Sequence, residues 1–222
     1  MANNGRVLRF SKVAIFAHWA NAISFFLLGL TGLIIYADVF DFLLPLLGGI
    51  QGARIIHRAA AVAFIVFPVL AALANPKGFR EWIKSVLTWK QNDRTFLLEF
   101  PKKFFGGHPE LPPQGRFNAG EKVNSLLQLG GCILLAISGI VMWNPDFFPK
   151  ALVLVGYPLH DLAFVLTGTA TLGHAYLALV HPDTKAALSG MINGYIDEEY
   201  AKSHYPLWYM EIKKTEELKG LE

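Results

Sequence analysis

Residues 13–37 read VAIFAHWANAISFFLLGLTGLIIYA and contain no Lys, Arg, Asp or Glu. A helix needs about 20 mostly apolar residues to cross roughly 30 Å of hydrocarbon. Further windows at residues 55–74, 123–143 and 158–180 meet that requirement. The run at 13–37 is longer than the core of a signal peptide and ends without a small-residue cleavage site, so we expect the mature chain to keep it.

The composition agrees with a membrane protein. Of the 222 residues, 53% are hydrophobic and only 17% are charged, whereas about a quarter are charged in soluble chains. The single cysteine excludes a disulfide framework, a cysteine-ligated iron–sulfur cluster and a structural zinc site, because each needs several thiols. We therefore predict an all-α transmembrane four-helix bundle, organised as a single membrane domain over residues 1–222.

Basic residues predict how the bundle is oriented. Seventeen of the 20 Lys and Arg side chains fall in the N-terminal segment, the loop at 75–122 and the tail at 181–222. The exceptions are Arg54, Arg58 and Lys150. Because basic residues collect on the cytoplasmic side of a membrane, we expect both termini and the long loop there, in a multi-pass protein of the bacterial inner membrane. The net charge of +3 then reflects topology and does not indicate nucleic-acid binding.

The connecting segments are predicted from their local patterns. Residues 39–50 and 147–157 are apolar but short and broken by Pro or Gly, so we expect loops at the membrane interface. Residues 78–90 place Trp and aliphatic side chains among charges, a pattern typical of an interfacial amphipathic helix. After it, the Pro and Gly residues between 101 and 113 predict irregular chain up to the third span.

Four of the seven histidines lie in or at the edges of the predicted spans: His18, His57, His160 and His174. An ionisable residue inside a span usually marks a function, although a single histidine is just as often a packing residue bonded to a backbone carbonyl. In the predicted topology His18 and His174 share one depth near the cytoplasm, and His57 and His160 share another near the outer side. Each pair draws on two different helices, so the set is a stronger signal than any member.

The fourth span supplies one histidine to each pair, 14 residues apart. On an α-helix, 14 residues turn to within roughly 40° of the starting direction and advance about 21 Å. Both imidazoles then project from one face at two depths, which suits two b-type haems, each held by two neutral imidazoles. Such an iron has no open position and transfers single electrons. Arg54, three residues before His57, is placed either to pair with a haem propionate or simply to anchor the helix end.

Several short motifs point to one family. They are His18-Trp19, Arg54-Ile55-Ile56-His57, Phe117-Asn118-Ala119-Gly120, the His160 and His174 pair, Gly190-Met191-Ile192, and Trp208-Tyr209-x-Glu211-Ile212. With these motifs the chain resembles the gamma, cytochrome b subunit of membrane-bound formate dehydrogenase over nearly its whole length. Paired histidines 14 residues apart are shared by several dihaem cytochromes, so the Asn-Ala-Gly and Trp-Tyr motifs are the more specific ones.

The resemblance implies four spans and two b haems, with His57 paired to His160 and His18 paired to His174. It also implies a role in electron transport during anaerobic respiration. Electrons would arrive from an iron–sulfur subunit on the outer side and reduce a quinone near the cytoplasm. Formate oxidation would belong to a molybdenum or tungsten catalytic subunit, and this chain would be the quinone-reducing membrane subunit of the oxidoreductase complex.

The resemblance also implies a quinone site beside the inner haem. The quinone would be menaquinone or ubiquinone, and the contacts would come from Asn118, Gly120, the position of Glu121, and His174. The family carries Gln where this chain has Glu121, so the role of an amide does not transfer. A carboxylate there would either pass a proton to the reduced quinone or be solvated at the start of the helix.

Two other functions are open from the sequence. The b-type cytochrome of a nickel–iron hydrogenase, or of another quinone-linked oxidoreductase, would follow the same electron path from a different donor. A small proton or metal transporter would use the four histidines directly. The broken helices and internal repeats typical of transporters are not evident in the sequence, which favours the cytochrome.

Overall fold

The computed structural model describes residues 5–219, so the last three positions of the predicted tail, 220–222, and the first four of the chain lie outside the described residues. Short 3-10 helices cover Asp38–Leu47, Pro145–Phe147 and Lys185–Ala187. In chain order the remaining elements are β1 (Arg6–Leu8), α1 (Lys12–Tyr36), α2 (Gly49–Ala74), α3 (Pro76–Leu87), α4 (Gln91–Phe104), α5 (Ala119–Trp143), α6 (Lys150–Leu179), α7 (Leu188–Asn193), β2 (Tyr195–Asp197), α8 (Glu198–His204) and α9 (Pro206–Lys219).

Within residues 5–219, four helices are long and apolar enough to cross a membrane: α1, α2, α5 and α6. They coincide with the four predicted spans, and the chain is an integral membrane protein. All four begin earlier than predicted, α1 by one residue, α2 by six, α5 by four and α6 by eight. A hydropathy window detects only the apolar part of a helix, whereas backbone hydrogen bonding continues into the polar turns at its end.

The segment at 147–157 corrects the sequence analysis, because most of it is the first part of α6 and not an interfacial loop. Pro158 was taken as the start of the span, yet it lies inside the helix. Proline is tolerated in membrane helices, where neighbouring groups satisfy the backbone carbonyl that it leaves unpaired. At 39–50, where an interfacial loop was also predicted, the chain forms the 3-10 helix Asp38–Leu47, which contains Pro45, and the last two residues already belong to α2.

The long loop is more helical than predicted. The amphipathic helix expected at 78–90 is present as α3. The irregular chain expected after it is wrong, because α4 runs through Pro101 and irregular structure is confined to 105–118. The start of α4 is stabilised by the Lys90 backbone N–H, which donates to Asp93 Oδ2 at 2.7 Å. Pro101 lies in the last turn, so it removes one helical hydrogen bond close to where the helix ends.

Contacts within the chain define two compact units, of which one comprises Lys12–Pro76 and Gly131–Thr169. Its core joins one side chain from each long helix: Phe25, Phe64, Leu135 and Ala163. Gly131 lies against the side chain of Thr167 so closely that a Cβ there would collide with the Thr167 methyl group. The absence of a side chain at Gly131 therefore sets how closely α5 approaches α6.

Within the described residues, the other unit comprises 5–11, 77–130 and 170–219. Its strands β1 and β2 pair antiparallel, with Val7 opposite Ile196. This small sheet is an exception to the predicted all-α class, and three-residue strands are too short to leave a sequence pattern. The core of the unit consists of Val7, Ile196, Ala201, Tyr205 and Trp208. Because α5 and α6 contribute residues to both units, a single membrane domain stays a prediction.

Candidate functional site

His57 lies on α2 and contacts the hydroxyl of Thr31 on α1, with 2.9 Å between His57 Nδ1 and Thr31 Oγ1. The Thr31 hydroxyl also donates to the carbonyl of Leu27, one turn earlier on its own helix, at 2.7 Å. Thr31 is only 1% exposed. The Nδ1 edge of the His57 imidazole is thus held by a buried side chain of α1.

His160 lies on α6 in a matching arrangement. Its Nδ1 is 2.9 Å from the hydroxyl oxygen of Ser138 on α5. The Ser138 hydroxyl donates to the carbonyl of Leu134, one turn earlier, at 2.6 Å, and Ser138 is 2% exposed. His57 and His160 lie close enough to interact electrostatically. Both histidines of the predicted outer pair thus belong to one compact unit and make matching hydroxyl contacts, and their joint ligation of a haem stays a prediction.

Glycines follow both hydroxyl residues and face the same imidazoles. A Cβ added at Gly32 would lie 3.4 Å from His57 Cε1, and one added at Gly139 would lie 3.4 Å from His160 Cε1. Each ring therefore packs against the backbone of the neighbouring helix. The sequence analysis missed three of these residues: Thr31, Ser138 and Gly139. A hydroxyl residue followed by glycine occurs on both helices, and this repeated pattern could have identified them.

The donor set fits a haem held by two imidazoles. Both rings have Nδ1 occupied by a hydroxyl contact, which leaves Nε2 as the nitrogen that would be available to an iron. The rings pack against glycine backbone and belong to the unit whose apolar core draws on all four long helices. The residues that would hold such a group on the predicted outer side are His57 and His160.

The predicted inner pair consists of His18 and His174. His18 lies on α1, where Trp19 packs its edge against the imidazole with 5.2 Å between ring centroids. His174 lies on α6. These two residues belong to different compact units, so their pairing stays a prediction. Arg54 is exposed on α2, and its contact with a propionate is likewise a prediction.

Three of the four predicted quinone residues, Asn118, Gly120 and Glu121, lie together at the start of α5. Asn118 precedes the helix, and its Oδ1 accepts from the backbone N–H of Glu121 at 2.9 Å. In return, Glu121 Oε2 accepts from the backbone N–H of Asn118 at 2.8 Å. This reciprocal pair is a capping box, and its Asn-x-x-Glu spacing was present in the sequence. Gly120 packs beside Asn118, and Glu121 interacts electrostatically with His174.

Glu121 also connects three distant segments. Arg9 Nη2 donates to Glu121 Oε1 at 3.1 Å, and the Tyr205 hydroxyl donates to the same oxygen at 2.7 Å. The Arg9 guanidinium lies 3.8 Å from the ring centroid of Tyr205. Burial, and then the nearby Glu121 carboxylate, raise the pKa of Tyr205 well above its ordinary value, so its hydroxyl stays a donor. The sequence analysis expected Glu121 either to pass a proton to the quinone or to be solvated at the start of the helix. The second alternative is only partly correct, because the carboxylate accepts hydrogen bonds from Arg9 and Tyr205.

A second ion pair is more deeply buried. Lys122 Nζ is 2.8 Å from Asp93 Oδ1, and the side chains are 10% and 6% exposed. Lys122 also donates to the backbone carbonyl of Thr88 at 2.9 Å and lies 5.7 Å from the ring centroid of Trp89. Lys122 was counted only as a cytoplasmic charge in the sequence analysis, yet it links the start of α5 to the start of α4.

Comparison with known protein families gives one match that covers most of the chain. A sequence model of the prokaryotic cytochrome b561 family matches residues 9–194. That range contains all four histidines of the predicted haem pairs, as well as Asn118, Gly120 and Glu121. Haem b binding is implied by the family description.

Curated relatives match over the full length. The chain is 28% identical over 229 residues to the cytochrome b556(fdo) subunit of formate dehydrogenase from Escherichia coli K12, covering 99% of this chain and 100% of that protein. It is 28% identical over 225 residues to the nitrate-inducible cytochrome b556(Fdn) subunit from the same strain, covering 100% and 99%. The Haemophilus influenzae cytochrome b556 subunit is 28% identical over 223 residues, covering 98% and 89%. The resemblance inferred from the sequence motifs is confirmed.

Proposed function

The chain belongs to the prokaryotic cytochrome b561 family, and on this premise we propose that it is the cytochrome b membrane subunit of a formate dehydrogenase complex. The full-length similarity to cytochrome b556 subunits of formate dehydrogenases supports the choice of complex. The complex is an oxidoreductase, and formate oxidation takes place in another subunit. The proposed partners are an iron–sulfur subunit and a molybdenum or tungsten catalytic subunit.

The observation that carries the proposal is the pair of His57 and His160. Two imidazoles from different helices lie within electrostatic range, each with Nδ1 held by a buried hydroxyl. A haem b bound by two imidazoles supplies one-electron transfer and leaves no coordination position for oxygen chemistry. Both histidines belong to the unit whose apolar core draws on all four long helices.

The proposal includes a second haem site formed by His18 and His174. Its support is the 14-residue spacing of His160 and His174 on α6, which places both on one helix face, about 21 Å apart along the axis. His174 interacts electrostatically with Glu121, and Asn118 and Gly120 adjoin Glu121 at the start of α5. We assign these four residues to the quinone site, with menaquinone or ubiquinone as the substrate.

The direction of electron flow follows from the proposed topology. The concentration of Lys and Arg supports cytoplasmic termini in the bacterial inner membrane, with His57 and His160 towards the outer side. Electrons from an outer iron–sulfur partner would then reach a quinone near the cytoplasm. If the quinone takes its protons from the cytoplasm while formate is oxidised outside, charge is separated across the membrane without any pumping residue.

Single histidine substitutions in the purified complex test the haem assignment. His57→Ala and His160→Ala should each remove the same b-type component from the reduced-minus-oxidised spectrum and abolish formate-dependent quinone reduction. His18→Ala should remove the other component and leave the outer one. His108→Ala is the matched control, because this histidine is exposed in the irregular loop. Full haem content in His57→Ala would contradict the assignment.

Glu121→Gln tests the quinone site. A glutamine keeps acceptor oxygen for the capping box but removes the charge that pairs with Arg9. Haem content should be unchanged, and the rate of quinone reduction or its pH profile should change. Glu99→Gln is the control, because Glu99 forms an ion pair with Lys102 on α4. Identical kinetics across pH for wild type and Glu121→Gln would exclude Glu121 from the quinone site.

A further inference from the structure

Two buried hydroxyl groups contact the proposed ligands of the outer haem. We infer that Thr31 and Ser138 are positioning residues, which hold the Nδ1–H of His57 and His160, present each Nε2 to the iron and set the midpoint potential of that haem. The inference rests on the proposed function, because it concerns residues that act through its haem ligands.

The direction of the hydroxyl hydrogen bonds determines the tautomer of each imidazole. A hydroxyl has one hydrogen to donate, and both hydroxyls donate it to a carbonyl on their own helix, at 2.7 Å for Thr31 and 2.6 Å for Ser138. Each hydroxyl oxygen therefore accepts from Nδ1 at 2.9 Å, so Nδ1 carries the hydrogen. The remaining nitrogen, Nε2, then has the lone pair that a metal requires.

The next carbonyl on each helix lies beside the same hydroxyl, because Thr31 Oγ1 and Ser138 Oγ approach the carbonyl oxygens of Leu28 and Leu135 to 3.3 Å. A carbonyl oxygen only accepts, so both carbonyls near each hydroxyl draw its hydrogen away from the imidazole.

The same arrangement of hydroxyl, leucine carbonyl and glycine around a histidine occurs twice in the chain. Residues 27–32 read LLGLTG and residues 134–139 read LLAISG, so each hydroxyl follows a Leu-Leu pair and precedes a glycine. In both copies the hydroxyl donates to the carbonyl of the first leucine, approaches the carbonyl of the second leucine to 3.3 Å, and is followed by a glycine that faces the imidazole Cε1. Two helix pairs thus present their histidines in the same way, which a single packing contact does not explain.

The hydrogen bond has a redox consequence. An acceptor at Nδ1–H makes an imidazole a stronger donor at its other nitrogen, and the oxidised, more positive iron benefits most from that donation. Because the hydroxyls also donate to carbonyls, the bonds form a chain in which each strengthens the next. Thr31 and Ser138 therefore lower the midpoint potential of the outer haem, and their loss raises it.

The test is a redox titration of the purified complex, with electron paramagnetic resonance of the oxidised form. The outer component is identified as the one that His57→Ala removes. Thr31→Val and Ser138→Ala should each shift its midpoint potential upward and change its resonance positions, and the double variant should shift it further. The other haem should keep its potential, because neither hydroxyl contacts its ligands.

Matched variants separate hydroxyl chemistry from packing. Thr31→Ser and Ser138→Thr retain the hydroxyl and should restore wild-type values, including haem content if the first variants lose it. Thr169→Val removes a hydroxyl that donates to the carbonyl of Val165 at 2.8 Å and should change nothing. Wild-type potentials in Thr31→Val and Ser138→Ala, or equal effects of Thr31→Val and Thr31→Ser, overturn the inference. Failure of the haem assignment would differ, because His57→Ala would then retain every haem component.

Discussion

Replacing Lys122 with methionine should destabilise the protein strongly, because it leaves the carboxylate of Asp93 buried without its partner. Lys122 Nζ lies 2.8 Å from Asp93 Oδ1, and both side chains are at most 10% exposed. Breaking a buried ion pair by removing one partner costs about 3–5 kcal/mol. Asp93 keeps the hydrogen bond from the Lys90 backbone N–H, so we expect the lower part of that range, about 3 kcal/mol.

Thermal unfolding of the detergent-solubilised complex measures the loss, at about 2–4 °C per kcal/mol for a chain of this size. Lys102→Met is the matched control, since Lys102 Nζ lies 2.7 Å from Glu99 Oε1 but its side chain is 63% exposed. An exposed pair contributes at most about 1 kcal/mol. Adding Asp93→Asn to Lys122→Met removes the unpaired charge and should recover much of the stability. Equal losses for Lys122→Met and Lys102→Met would refute burial as the cause.

Other substitutions test the packing of each unit. Gly131→Ala should destabilise by about 1–3 kcal/mol through overpacking, and adding Thr167→Ser, which removes the colliding methyl group, should restore the thermal midpoint; an unaffected single variant would contradict the close approach. Tyr205→Phe removes the hydroxyl bond to Glu121 and should cost about 1.5–3 kcal/mol in thermal unfolding; no loss would show that this bond contributes nothing. Burial lowers the pKa of His204 from 6.5, so the stability that its neutral form contributes is present above that pH and is lost as the pH falls below it. Hydrogen-exchange protection of α8 should therefore weaken on acidification in wild type but not in His204→Phe, which keeps the aromatic stack on Tyr200; equal pH dependence in both would contradict this.

The spans were predictable from sequence because hydrocarbon imposes a length and an apolar composition on any helix that crosses it. Their ends were not, since α2 and α6 continue past the apolar window into turns that contain Arg54 and Lys150. The helix α4 was missed because prolines were read as breaks. Pro101 lies near the end of that helix, where it removes little hydrogen bonding.

Topology and spacing predict the pairing of His57 with His160, whereas the hydroxyls that contact them could not be predicted. Serine and threonine are common in membrane helices, and only the structure shows that Thr31 and Ser138 meet His57 and His160. The buried role of Arg9 was also hidden, because a count of basic residues treats every arginine as solvated. Arg9 is 2% exposed and pairs with Glu121, which lies 112 positions away in the chain.

Haem content per chain tests the central proposal most directly. A pyridine haemochrome assay and a reduced-minus-oxidised spectrum on the purified complex should give two b-type haems for each copy of this chain, held by the paired imidazoles. A single haem would show that one of the two pairs, His57 with His160 or His18 with His174, does not bind haem. No haem in folded, assembled protein would contradict the cytochrome function.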